Sequence, residues 1–160
     1  MRNLLPLLLC VAALAGCAGG AGKAGGDGGE PTGWARYRTV GYRVASALPD
    51  TPIEEKWLKR MFQLELERSK LFSAVLDLEE STPADLEISA RIVRVKRWRR
   101  LKLFVDVEFY DGKSKRLLER RQFITKSTTG LKGLRDQHKS AGQTTIYIVR
   151  KAIAIIRARR

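Results

Sequence analysis

Cysteine is nearly missing: the chain has two, Cys10 and Cys17, and a single histidine, His138, among 160 residues. Acid is short as well, 17 Asp and Glu against 31 Lys and Arg, a net charge of +14. No long hydrophobic run occurs either. The one apolar stretch, Leu4 to Ala13, is about ten residues and is interrupted by Pro6, whereas a helix crossing the hydrocarbon core needs about 20. Each shortage excludes something. Without a run of that length this segment does not read as a permanent membrane span. With one histidine and no thiol left over once the amino-terminal segment is processed, a cysteine–histidine nucleophile pair cannot be built. A serine triad would have to use His138, and no G-x-S-x-G sequence accompanies it. Zinc sites draw three or four ligands from His, Cys and carboxylates, and Asp136 beside His138 is a poor start. No catalytic residue, metal or cofactor is therefore expected. Paired carboxylates at Glu79, Glu80, Asp85 and Glu87 are the remaining hydrolytic option, but alternation places Asp85 and Glu87 on the wet side of a strand.

The short apolar stretch has a different use. Arg2 precedes it and small residues follow it, the charged, apolar and small-residue regions of a secretory signal. It ends in Leu14-Ala15-Gly16-Cys17, which resembles the lipobox of bacterial lipoproteins. That resemblance implies a diacylglyceryl group on the Cys17 thiol, cleavage after Gly16 and acylation of the new amino terminus. A soft nucleophilic sulfur suits lipid transfer, and small side chains let the backbone into a narrow protease site. Ala18, where family sorting rules read aspartate as retention in the inner membrane, favours the outer membrane, with the domain facing the periplasm; in a host without an outer membrane the address becomes the exterior of the cytoplasmic membrane. Residues 1–16 are thus read as signal peptide and 17–33 as lipidated cysteine plus tether. The tether is glycine-rich and has no residue able to build a core; sixteen such residues reach about 20–25 Å. Within it Gly20-Ala21-Gly22-Lys23-Ala24-Gly25 matches G-x-G-x-x-G, but the phosphate-cradling form of that motif needs a strand before and a helix after, so no nucleotide is expected.

Residues 34–160 read as one α/β domain, large enough to bury roughly two-thirds of its unfolded surface. Arg38 to Ala47 alternates as a strand, with Val40, Tyr42 and Val44 on one face. Thr51-Pro52-Ile53-Glu54 supplies a cap residue, proline at the first helical position and a capping-box glutamate. The helix that follows carries Ile53, Trp57, Met61 and Leu64 as its apolar stripe, flanked by Leu58 and Phe62, and ends near Lys70. Ala74-Val75-Leu76 suggests a short strand, and Glu79 to Pro83 a polar turn. Asp85 to Val95 and Leu101 to Tyr110 alternate clearly, Asp111-Gly112 signals a hairpin turn, and Arg116 to Lys126 returns. Ser127 to Gly142 reads as loop, with His138 facing solvent in it, and Gln143 to Ala158 as a last helix burying Ile146, Val149, Ile153 and Ile156. Arg157, Arg159 and Arg160 complement the helix dipole at its end. The expected fold class is α/β (α+β): an antiparallel meander sheet plus one amino-terminal strand, with two helices on one face.

Charge points to an anionic partner, and export removes nucleic acid from consideration. Anionic lipid, lipopolysaccharide, wall polymers and acidic envelope proteins remain. The constellation that fits them runs from Arg94 to Lys102 and joins two strands, with Lys96, Arg97, Trp98, Arg99, Arg100 and Lys102 as its candidate contacts: cations meet headgroups while an indole sits at an interface. The competing reading is a hairpin whose cations keep a sheet edge from pairing with strangers.

With Phe72 and Val75 after the helix, Ala84-Asp85-Leu86 opening the next strand and Tyr110-Asp111-Gly112 turning the meander, the stretch from Tyr37 to Arg157 resembles an uncharacterised family of outer-membrane lipoproteins. It is also similar to the lipopolysaccharide-assembly lipoproteins and to the lipoprotein activators of penicillin-binding proteins. The uncharacterised family often has a glycine-rich segment where this chain has Lys96 to Arg100, and the lipopolysaccharide-assembly members begin their domain nearer the lipid, so no ligand-binding residue carries over. Composition and resemblance together lead to a lipid-anchored, non-enzymatic accessory or binding module of the envelope. A hydrolase of wall or lipid material and a membrane-to-wall spacer are the alternatives.

Overall fold

The computed structural model describes residues 33–79 and 83–160. The signal segment, Cys17, the tether with its glycine motif, and Glu80 lie outside the described residues, as does the middle of the polar turn expected from Glu79 to Pro83.

A 3-10 turn, Gly33–Arg36, leads into β1, Thr39–Ser46. Helix α1, Pro52–Ser69, follows, then β2, Ala74–Asp77. The meander is β3, Leu86–Arg97, β4, Arg100–Asp111, and β5, Leu117–Gly130, and α2, Leu134–Arg159, closes the chain. The strands form one five-stranded sheet in the order β2-β1-β3-β4-β5. β1 runs parallel to both of its neighbours, while β3-β4-β5 is antiparallel. The sheet is therefore mixed, because α1 returns the chain to the same end before β2 begins. Both helices cover one face, and the expected α/β class with two helices on one side is what forms.

Alternation explains the layering. Val40, Tyr42 and Val44 on β1, Leu86, Ile88, Ala90 and Ile92 on β3, and Leu101 to Phe109 in odd positions on β4 are all buried under the helices. The α1 stripe is displaced from the expected one. Leu58, Phe62 and Leu66 are buried, with Glu54 one turn earlier, while Ile53, Trp57, Met61 and Leu64 are half-buried. The reason is that α1 has two neighbours. The 58-62-66 line meets the sheet, where Phe62 stacks on Tyr42 with ring centroids 6.3 Å apart, and Trp57 turns toward α2 at Gly142. The capping box also does not form: the Thr51 hydroxyl bonds Ser46 and the Leu48 carbonyl instead, and no side chain caps α1. Lys70, at φ 51°, ends the helix in the left-handed region.

Two more expectations change. The meander turn is longer than an Asp-Gly pair. Asp111 and Arg116 close it through the Asp111 N–H, and the left-handed residue is Lys115. Gly112 is required for a different reason: a Cβ there would lie 1.6 Å from the Ala84 carbonyl oxygen. The stretch 127–142 is not a loop. β5 continues to Gly130 because the Ser127 hydroxyl accepts the Leu101 N–H and extends the pairing. α2 begins at Leu134, placing His138 on its first turns. Of its expected stripe Val149, Ile153 and Ile156 are buried and Ile146 is half-buried; Ile148 and Ala152 complete it.

Candidate functional site

The face of the sheet away from the helices is built from the even positions of β4 and their partners. Register makes it a set of rows. Lys96 on β3 stands directly opposite Lys102 on β4, and Lys102 directly opposite Lys126 on β5. Behind this lysine row lies Arg94-Phe104-Ile124, and behind that Arg91 and Gln122 flanking Asp106. Phe104 holds the first two rows together, with the Arg94 guanidinium 5.7 Å and the Lys102 ammonium 5.2 Å from its ring centroid. Like charges directly opposite in a sheet destabilise it, so three lysines in line are not there for the sheet's own sake.

The β3–β4 turn adds Trp98, 82% exposed, and Arg99. Lys96, Trp98, Arg99, Arg100, Lys102 and Lys126 line a shallow concavity of about 330 Å³. None of its five cations makes an ion pair among the described residues. The nearest acid in the rows, Asp106, is held by Arg120 and Gln122 at 2.8 Å each. Burial raises the pKa of its carboxyl, but those two donors outweigh it and keep it lowered.

Of the six residues the sequence singles out, five converge here and one does not. Arg97 turns to the helix side, donating to Glu54 at 2.8 Å and to the Asp50 carbonyl, and the Glu54 side chain is only 4% exposed. It is a strut between the hairpin and α1. Arg94, the first residue of the basic stretch, joins the face one row behind, while Phe104, Ile124 and Lys126 also belong to it and are missed by the sequence reading. Phe104 in an outward position of a clean alternation was the available signal. The edge-protection reading is also corrected in part, since β4, which carries Lys102, has a strand on either side.

Asp85, Glu87 and Glu79, the candidate carboxylates among the described residues, each hold a contact within the fold. Asp85 accepts the N–H groups of Arg38 and Thr39 at 3.1 and 3.0 Å, Glu87 is buried and paired with Lys115, and Glu79 pairs with Lys59. His138 is exposed, and its Nδ1 accepts the Trp57 indole N–H at 3.3 Å. Three cations at the opposite end of the sheet, where the chain enters through Gly33–Arg36, are engaged: Arg36 with Asp111, Arg159 with Glu119, and Arg160 on the Tyr37 carbonyl. The carboxyl-terminal arginines thus tie α2 to the sheet as well as complementing its dipole. Among the described residues the entrance end thus carries paired cations beside Lys113 and Arg116, which make no ion pair, whereas at the hairpin end the cations of the bare face make none.

No protein-family model matches the chain, and no curated protein matches it. Solved structures do. A Xanthomonas campestris protein of the family DUF330 superposes with a TM-score of 0.53 at 11% identity, over 73% of this chain and 81% of that one. A hypothetical protein of Chlamydia trachomatis gives 0.53 at 12%, over 76% and 97%. The PelC dodecamer of Paraburkholderia phytofirmans gives 0.50 at 13%, over 70% and 84%. At such identities the likeness carries the fold alone. It agrees with the small α/β architecture that the resemblance implied, and it carries neither the lipopolysaccharide-assembly nor the penicillin-binding-protein-activator likeness.

Proposed function

We propose that this chain is a lipid-anchored, non-enzymatic lipoprotein of the cell envelope, held through Cys17 in the outer membrane and facing the periplasm, whose bare sheet face binds an anionic envelope surface. The single observation that supports the binding role most is the row Lys96-Lys102-Lys126, three like charges set opposite one another with no acid among the residues lining the concavity. An arrangement that costs the sheet stability and exposes Lys96 and Lys126, with Lys102 half-buried between them, is explained by a partner that neutralises it. Each cation near an anionic surface contributes about 1 kcal/mol, and the attraction falls off within a Debye length.

Replacing Lys96, Arg99, Arg100 and Lys102 together by serine tests this. Expected is at least a tenfold loss of affinity for acidic vesicles and soluble polyanions at about 0.1 M salt, with unfolding still cooperative. Unchanged affinity overturns the binding role. The anchor has its own test: Cys17→Ala should leave the protein in the soluble fraction, and a variant that still partitions with membranes refutes lipidation.

A further inference from the structure

The binding face is not uniformly ionic. Trp98 is 82% exposed and Ile124 is 51% exposed, both within or one row from the lysine row. Phe104 sits between the cations Arg94 and Lys102. A soluble acidic polymer in water gains little from exposed indole and isoleucine. A bilayer surface gains from both, because cations meet headgroups while an amphipathic ring and an aliphatic chain enter the interface below them.

The shape of the face agrees. It is one side of a sheet that neither helix covers, with the lysine row, Trp98, Phe104 and Ile124 at the hairpin end and mixed charges, Arg120 with Asp106 and Glu108 and Lys115 with Glu87, toward the end where the chain enters. β4 has 12 residues, so the two ends are about 35–40 Å apart at a rise near 3.3 Å per residue. Standing upright on its hairpin, the domain would hold its entrance that far above the bilayer, and a tether with an expected reach of about 20–25 Å would span such a distance about tenfold less often than its relaxed length. Lying on its bare face, the domain keeps both ends at one height and the tether relaxed.

Resting on the binding role proposed above, we infer that the occupant of this face is the anionic lipid surface of the membrane that carries the anchor, with the sheet lying face down, Trp98 and Ile124 in the interface, and α1 and α2 turned outward to the periplasm. The outward helices then become the surface that the protein presents.

The test uses the full lipidated protein in vesicles of phosphatidylcholine with or without one-third phosphatidylglycerol, with bromine on the upper acyl carbons. Trp98 emission is isolated as the difference between native protein and Trp98→Phe. Expected is at least twofold quenching in acidic vesicles and none in neutral ones, abolished by Lys96→Gln/Lys102→Gln/Lys126→Gln. Environment-sensitive probes on Ile124→Cys and, on the outer side of α2, Lys151→Cys report orientation: the first should shift to the blue and the second stay in water. Trp98 unquenched in acidic vesicles overturns the inference, as does a blue shift at Lys151→Cys. If polyphosphate still binds in a lysine-dependent way while Trp98 stays unquenched, the face takes a soluble polyanion and only the membrane assignment falls. If neither probe responds and no polyanion binds, the binding role falls with it.

Discussion

Arg97 offers the sharpest separation between holding the site and being the site. Its guanidinium bonds Glu54 at 3.2 and 2.8 Å and caps the Asp50 carbonyl, and the two side chains are 36% and 4% exposed. Arg97→Ala leaves a nearly buried carboxylate without its cation. Breaking a fully buried pair costs about 3–5 kcal/mol. Here water reaches the arginine side, and Glu54, in the first turn of α1, keeps the attraction of the helix dipole, about 0.3–1 kcal/mol. The expected loss is therefore about 2–3 kcal/mol, equivalent to about 7–11 °C in Tm for a domain of this size. Urea unfolding should show a lower midpoint at unchanged slope, and Glu54→Leu/Arg97→Met should recover most of the loss. Affinity of the folded variant for acidic vesicles should stay within twofold of native. A stability loss below about 0.5 kcal/mol refutes the strut, and a tenfold drop in affinity at full stability would return Arg97 to the binding face.

Gly112→Ala should cost more than about 3 kcal/mol, read by urea unfolding, because the added carbon would stand 1.6 Å from the Ala84 carbonyl oxygen and backbone must move on both sides; a loss under 1 kcal/mol would mean that this contact yields freely. Asp111 should govern part of the acid limb. The Ser114 N–H, the Tyr37 hydroxyl, the Ser114 hydroxyl and Arg36 hold its carboxyl far below the usual carboxylate range, against a small opposing effect of burial. A depressed folded-state pKa contributes stability that is complete above the unfolded value, about 3.9, and is lost as pH falls toward the folded one. Asp111→Asn should therefore be less stable than native at pH 7 and should flatten the decline in urea midpoint below about pH 4; an unchanged acid slope argues against this role.

How much could be read beforehand follows from which interactions are local. Strands with strict alternation, such as Leu101 to Tyr110, announce their inward face because period two leaves no other assignment. α1 was legible as a helix but not in its exact facing, since Trp57 and Leu58 are both apolar and only the presence of α2 decides which meets the sheet. Ser127 to Gly142 misled because its threonines and glycines look like loop until β4 supplies a partner for β5 and the sheet supplies a floor for α2. The same limit applied to the site. The cations of 96–102 stand out in sequence, yet Lys126 joins them only through cross-strand register, and Arg97 leaves them only because Glu54 lies across the hairpin.

The lysine row also allows structure and function to be told apart by sign. Cations kept to support the hairpin should stabilise it, whereas cations kept for a partner should not. Lys96 and Lys126 each face Lys102 directly, neither makes an ion pair among the described residues, and the contact of the row with Phe104 belongs to Lys102. Each like-charged cross-strand pair costs about 0.2–1 kcal/mol. Lys96→Gln/Lys126→Gln removes both repulsions and leaves the ring contact intact, so the variant should be about 0.5–1 kcal/mol more stable than native at 10 mM salt, where the Debye length is about 30 Å. At 1 M salt, with a Debye length of about 3 Å, native and variant should converge, while affinity for acidic vesicles at about 0.1 M salt should fall by at least fivefold. Higher stability with weaker binding is the pattern of residues held against the interest of the fold. A variant that is less stable than native at low salt would show instead that the lysines support the sheet, and the row would lose its claim as a binding device.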